Sequence, residues 1–235
     1  LSKAIAQTRV VPAPAQSKAI ALQGGTAHLG NGQVIENAII GFSDGKLTIV
    51  ADATSAKVDL SSYEVVDITG KHVYPGFISM DTRLGLSEVS SVDMTRDYSE
   101  RGSVNPNVRT IIAYNTDSEI IPTVRFNGIL MAQPAPTSGL VSGTSSVVQL
   151  DAWNWEDAAY KTDDALFINW PNKRNPPRWW QGETKWRDNP NYAEQVQELK
   201  DLFTEAARYN SLGNRQSRNL KLEAVAGIFS GGKAL

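Results

Sequence analysis

The chain has no cysteine and only two histidines, His28 and His72, in 235 residues. A disulfide, a thiolate metal site and a cysteine nucleophile are therefore excluded within this sequence. A catalytic zinc centre needs three protein ligands, so imidazoles alone cannot build one here. No apolar run approaches the ~18 residues of a membrane-spanning helix, which gives the expectation of no membrane span. An excess of charge of either sign is also missing. The balance is 23 basic against 25 acidic residues, a net of −2, which argues against a surface built for nucleic acid or anionic lipid. Neither a Gly-x-Ser-x-Gly nucleophile elbow nor a Walker-type phosphate loop occurs.

What is present is the composition of a globular chain, 41% apolar and 20% charged. Its length is generous for one small domain and short for a (β/α)8 barrel of ~250 residues with a further module. Residues 1–18 read as an exported-type leader remnant followed by a Pro/Ala tether. Ala4-Ile5-Ala6 fits a signal-peptidase site before Gln7, and Pro12 and Pro14 favour extended chain. The corresponding localisation is periplasmic or secreted, with cytoplasmic as the alternative. At the other end, Ile228 to Leu235 stops just after a glycine turn and reads as an interruption.

Residues 19–75 carry β signals. Ala19 to Leu22 and Thr26 to Leu29 flank Gly24-Gly25, and the Asp44-Gly45 pair between Val34–Phe42 and Leu47–Val50 is a strong hairpin signature. Glu64 to Ile68 alternates as a further strand. After Pro75 the pattern shifts to candidate strands at Phe77–Met80, Ile129–Ala132 and Ser146–Leu150, separated by longer polar or helical stretches. That alternation predicts parallel βα units. Pro122 limits the helix that starts near Asn115–Glu119. Val196, Leu199, Phe203 and Ala206 recur at helical spacing within Asn191–Tyr209, and Leu220–Phe229 predicts a second helix.

The phrase Val65-Val66-Asp67-Ile68-Thr69-Gly70-Lys71-His72-Val73-Tyr74-Pro75-Gly76-Phe77-Ile78, with Gly85 beyond it, resembles the amidohydrolase superfamily, specifically its imidazolonepropionase-like members. Asp67, Gly70, Val73, Pro75, Gly76, Ile78 and Gly85 match that family's frame. The resemblance implies an α/β fold: a small β-sandwich, its N-terminal part here in 19–75, followed by the first units of an incomplete (β/α)8 TIM-type barrel in 76–235. It implies hydrolysis of a non-peptide C–N bond in a small amide or cyclic amide, with a divalent metal (zinc, manganese or iron) as cofactor. Where the family carries two metal-binding histidines on its first barrel strand, this chain has Asp81 and Arg83, and Ser79 stands before them. Residues at i and i+2 of a strand share a face, so the geometry is kept while the chemistry changes. Aspartate offers an oxygen ligand, but a guanidinium has no lone pair, which makes the first metal site degenerate and an Asp81–Arg83 ion pair the alternative. Gln149 matches loosely a position of the family's lysine. A catalytically inactive pseudoenzyme, acting as a structural or regulatory partner, is the competing reading. A partner chain or second copy would then complete the fold.

All six tryptophans, Trp153, Trp155, Trp170, Trp179, Trp180 and Trp186, fall within 34 residues. With Pro171, Pro176, Pro177 and Arg178 they predict a Trp-rich loop over 151–190. Trp170, Arg178, Trp179, Trp180 and Trp186 are the candidate binding residues for a glycan or protein partner in an exported binding module. The alternative is a loop held in place by buried indoles and cation–π contacts. Asp151, Glu156, Asp157, Asp163 and Asp164 read as caps and solvated turns, with Asn154 or Asp151 opening a short helix over Trp155–Tyr160. His28 and His72 read as surface or hydrogen-bonded residues.

Overall fold

The structure is a computed structural model that describes residues 11–212 and 217–235. The leader expected at Ala4-Ile5-Ala6 lies outside the described residues. Contacts divide the chain into two units, Leu1–Phe77 and Ile78–Leu235. Together they make a mixed α/β protein.

In the first unit, β1 (Ala19–His28), β2 (Val34–Ser43), β3 (Lys46–Asp52), β4 (Tyr63–Asp67) and β5 (His72–Val73) form one mixed sheet in the order β3-β2-β1-β4, with β5 also on β1. The Asp-Gly signal works as expected. Asp44 and Gly45 both have positive φ, 50° and 71°, which suits a tight turn between the antiparallel β2 and β3. The two apolar runs around Gly24-Gly25 are one strand, not two. β1 continues through register shifts at Gln23/Gly25 and Gly25/Ala27, so the glycines make a bulge where a turn was expected. β4 and β5 share one edge of β1, both parallel to it, and Ile68 N donates to Gln23 O between them. Alternating side chains on β1 and β2 then bury Ala27, Ala38 and Ile40 against Leu22, Leu29, Ile35 and Val73. Among the described residues this sheet is the only one in the unit.

In the second unit, β6 (Phe77–Thr82) leads to α1 (Thr110–Ala113), α2 (Ile120–Phe126), β7 (Ile129–Pro134) and β8 (Val141–Gln149). α3 (Trp155–Ala158), β9 (Ala159–Ile168), β10 (Arg174–Asn175), β11 (Arg187–Asp188), α4 (Tyr192–Ser211) and α5 (Leu220–Phe229) follow. The main sheet runs β6-β7-β8-β9. Its β7–β8 and β8–β9 pairings are antiparallel, which corrects the expectation of parallel pairing for the strands from Ile129 onward. Among the described residues the sheet is open and no barrel closes. β8 begins at Val141, five residues ahead of the strand expected at Ser146–Leu150. It buries Ser142, Thr144, Ser145 and Ser146. Each hydroxyl has a partner, including Thr144 Oγ1 to Pro106 O at 3.1 Å and Asn169 Nδ2 to Ser142 Oγ at 2.8 Å, which offsets the cost of burying polar atoms.

Two apolar clusters flank that strand. Leu84, Ile111, Tyr114, Ile121, Ala132, Val148 and Leu150 make one, and Leu140, Leu166, Leu199, Ala206, Tyr209, Leu222 and Val225 the other. The second joins α4 to α5 through the stripe expected from helical spacing, with Phe203 and Phe229 edge-to-face at 6.5 Å. Full burial of a leucine such as Leu199 contributes ~1.5–3 kcal/mol. Asn219 caps α5, its side chain accepting from Lys221 N and Leu222 N, and Asn154 caps α3 through Asp157 N. Among the described residues no helix is long and apolar enough to cross a membrane.

Candidate functional site

The strand-one position is built by the end of β6. Asp81 has φ 48°, a left-handed conformation that breaks the alternation of an extended strand. Arg83 lies beyond the last strand residue, in a turn closed by Leu86 N to Arg83 O at 2.9 Å. The shared face expected for positions 81 and 83 is therefore not formed. The expected Asp81–Arg83 ion pair is also absent: Asp81 is exposed and its carboxylate has no hydrogen bond or ion pair among the described residues. Arg83 instead places its guanidinium 4.2 Å from the centre of the Tyr98 ring, a cation–π contact. The candidate buried strand Phe77–Met80 is also exposed, with Ile78 54% and Met80 71% accessible.

Gly85 fixes the turn that follows. It has φ 73°, and a Cβ there would run into the Tyr114 ring. Its carbonyl accepts from Asn115 N at 2.8 Å. The Tyr114 hydroxyl is buried with no partner among the described residues, and burial pushes its pKa up. The fit of glycine against tyrosine locks the β6 exit onto the chain after α1.

Tyr98, which carries Arg83, also walls a cleft of about 400 Å³ lined by Asp97, Glu100, Asn107, Arg109 and Thr110. Arg109 reaches Asp163 (Nε to Oδ1 2.7 Å), whose own φ is 53°. Lys233 lies near both. Its Nζ donates to Ala224 O at 3.0 Å, and partial burial lowers its pKa against the opposing pull of Asp163. The cleft thus has two carboxylates at one wall and a neutralised arginine at another. Among the described residues no three of His, Asp and Glu converge as a metal site. A divalent ion needs several lone-pair donors, and the pair Asp81 and Arg83 supplies one carboxylate and one cation, so this donor set does not fit the metal implied by the resemblance. Gln149 donates to Asp157 O and has no ligand role there.

The tryptophans do not form one loop. Trp155 packs on the first core cluster at the start of α3, and the ten-residue β9 separates it and Trp153 from the other four. The irregular part is shorter than 151–190 and contains the β10–β11 pair and a single 3-10 turn over Trp179–Gln181. Trp170, Trp179, Trp180 and Trp186 are 59–79% exposed, so burial of indoles does not hold this segment. Polar contacts do: Glu183 accepts from Arg178 N at 2.9 Å, and its carboxylate forms an ion pair with Arg187 at 2.9 Å in which the Nε–H is not directed at the oxygen. Trp179 and Trp180 meet edge to face at 5.8 Å. Trp170 stands apart from them at a cleft of about 520 Å³ with Asn169, Asn172, Asn175 and Asn189.

Two features escaped the sequence. One is Tyr98, for which no motif exists. The other is the union of both histidines: His28 Nε2 and His72 Nδ1 are 3.0 Å apart, and Tyr74 stacks on His28 at 4.2 Å and 5°. The spacing His72-x-Tyr74 on a strand was the available signal, but it required knowing that β5 pairs with β1.

No family model matches the chain, and no curated protein matches it significantly. Among solved structures, it shares the fold of an amidohydrolase from Thermotoga maritima MSB8, at 21% identity and a TM-score of 0.71. The match covers 90% of this chain and 55% of that one, so the chain spans about half the length of that relative. Smaller overlaps occur with a prolidase complexed with N-methylphosphonate-L-proline and with a Bifidobacterium longum protein assigned as a prolidase. The first has 26% identity, 48% of this chain, 25% of that one and a TM-score of 0.34. The second has 28% identity, 30% of this chain, 18% of that one and a TM-score of 0.26, and both are too partial to bear on the fold.

Proposed function

We propose that the chain is an amidohydrolase-superfamily protein, of a lineage that hydrolyses non-peptide C–N bonds in amides or cyclic amides, whose strand-one ligand position has been converted from metal binding to a structural anchor. The observation that carries this reading is the coincidence of two independent signals. The fold likeness extends over 90% of the chain, and the Asp67-to-Gly85 frame leads directly into β6 and its exit turn. At that exit Arg83 is held on Tyr98 and the Asp81 carboxylate has no partner among the described residues, which suits an anchor.

The same observation favours a second reading, a non-catalytic structural or regulatory partner. The exposed apolar residues Ile78, Met80 and Leu130 on the β6 and β7 strands, and the exposed tryptophans, supply surface for a partner chain or second copy. Metal analysis of the purified protein, paired with hydrolysis of N-acyl and cyclic-amide substrates, separates the two. Stoichiometric zinc, manganese or iron with turnover identifies a hydrolase whose ligands lie outside Asp81 and Arg83. Metal-free protein without turnover identifies the partner. Turnover that depends on Arg83, lost in Arg83→Met with the fold intact, would overturn the anchor assignment.

A further inference from the structure

The only two imidazoles of the chain meet at the edge of the first sheet, 44 residues apart in sequence. Parallel pairing brings them there. Thr26 lies opposite His72 and Ala27 opposite Val73, so the next step sets His28 beside Tyr74. Side chains alternate along a strand, hence His28 shares the face of Thr26, and Tyr74 that of His72. All three rings stack on one side, His28 against Tyr74 at 4.2 Å and against His72 at 5.3 Å. His28 Nε2 and His72 Nδ1 stand 3.0 Å apart, hydrogen-bond distance between two ring nitrogens, with the donor set by the tautomer.

From this juxtaposition we propose that His28 and His72 form a two-imidazole chelate for a divalent transition-metal ion, Cu2+ most tightly and Ni2+ or Zn2+ more weakly. Metal–nitrogen bonds of about 2.0–2.1 Å separate two ligating nitrogens by about 2.9 Å at a right angle and about 3.3 Å at the tetrahedral angle. The observed 3.0 Å falls between those limits, so the two nitrogens already have the separation of a chelating pair, and each ring must turn its lone pair by about 35–45° off the N–N line to meet the ion. The ladder of β1 with β5 fixes both backbones, which lowers the ordering cost of chelation. Imidazole nitrogen suits borderline transition ions, with copper strongest among the divalent series, and no carboxylate shares the hydrogen bond that would favour calcium or magnesium. His72 is exposed, so water fills the remaining positions. This site belongs to the Leu1–Phe77 unit and does not depend on the reading of Asp81 and Arg83.

Titration of the intact chain with CuCl2 and NiCl2 tests it, followed by calorimetry and by the nitrogen hyperfine pattern of bound copper. One ion per chain with two coordinated nitrogens is expected. His28→Ala and His72→Ala should each weaken binding at least tenfold and reduce the pattern to one nitrogen, the double variant should remove it, and Tyr74→Phe should bind as the parent does. Circular dichroism checks that each variant keeps the sheet. Because the sequence has no other imidazole and no thiol, a two-imidazole signal has no other source. Binding unchanged in both single variants, two equal independent imidazole sites, or no copper bound at millimolar concentration would each overturn the proposal.

Discussion

In the Leu1–Phe77 unit, turns are held by short carboxylate contacts: Asp52, Asp59 and Asp67 accept from the backbone amides of Thr54, Ser61 and Thr69 at 2.7, 2.9 and 2.8 Å. The Ile78–Leu235 unit is instead held by fitted side chains, such as Tyr114 against Gly85, and by buried hydroxyls paired along β8. Aspartates two residues before their partners are local contacts that any short peptide can sample. The hydroxyl contacts along β8 join residues 17 to 38 apart in sequence, and they exist only when those distant segments are folded together. The difference teaches where each unit is vulnerable: the first to the solution around it, the second to a change of shape inside it.

The sharpest way to expose that contrast is to add one methyl group to a glycine in each unit. Gly85→Ala meets both a left-handed backbone and the Tyr114 ring, and should destabilise the second unit by about 2–5 kcal/mol. Gly45→Ala meets only the backbone term, with open space around the new Cβ, and should cost about 1–2 kcal/mol. All six tryptophans lie in the second unit, so urea unfolding followed by tryptophan fluorescence should report the first change and miss most of the second. Equal losses would erase the distinction between the units.

That pair of glycines also marks how far the sequence could be read. Asp44-Gly45 announces its turn because a type of hairpin demands positive φ at both places, and the heptad-like spacing of Leu199 and Ala206 announces α4 because burial on a helix is periodic. Nothing local announces that β7, β8 and β9 run antiparallel, since alternation of strands with polar stretches fits either direction. At the site, Arg83 was singled out by the frame that the sequence resembles, while its partner Tyr98 was not. A cation–π contact across fifteen residues of irregular chain leaves no spacing to find.

A smaller effect comes from Tyr114 itself. Its hydroxyl is buried without a partner among the described residues, so Tyr114→Phe should stabilise the second unit by about 1 kcal/mol, read as a higher urea midpoint. A loss of stability instead would mean that the hydroxyl is satisfied and that the fit to Gly85 is less strict.

The smallest effect is that of acid on the first unit. Hydrogen bonds from Thr54, Ser61 and Thr69 hold the Asp52, Asp59 and Asp67 carboxyls below the usual aspartate range. A carboxylate with a depressed folded pKa binds fewer protons folded than unfolded, so its contribution is complete above the ordinary value of ~3.9 and is lost as pH falls through the lower folded values. Far-UV circular dichroism of the urea transition between pH 5 and pH 2.5 should show this loss, and replacing the three aspartates by asparagine should flatten it. An unchanged slope in the triple variant would assign the acid sensitivity to the second unit.

The left-handed backbone at Asp81 has a consequence for the solubility of the molecule. β6 ends the order of its sheet and exposes Ile78 and Met80, the kind of bare apolar edge on which another chain can add a strand and start an aggregate. An added strand must match its register residue by residue, and a positive φ carrying a negative charge interrupts the template after four positions. Asp81 thus limits the open template to the four residues before it.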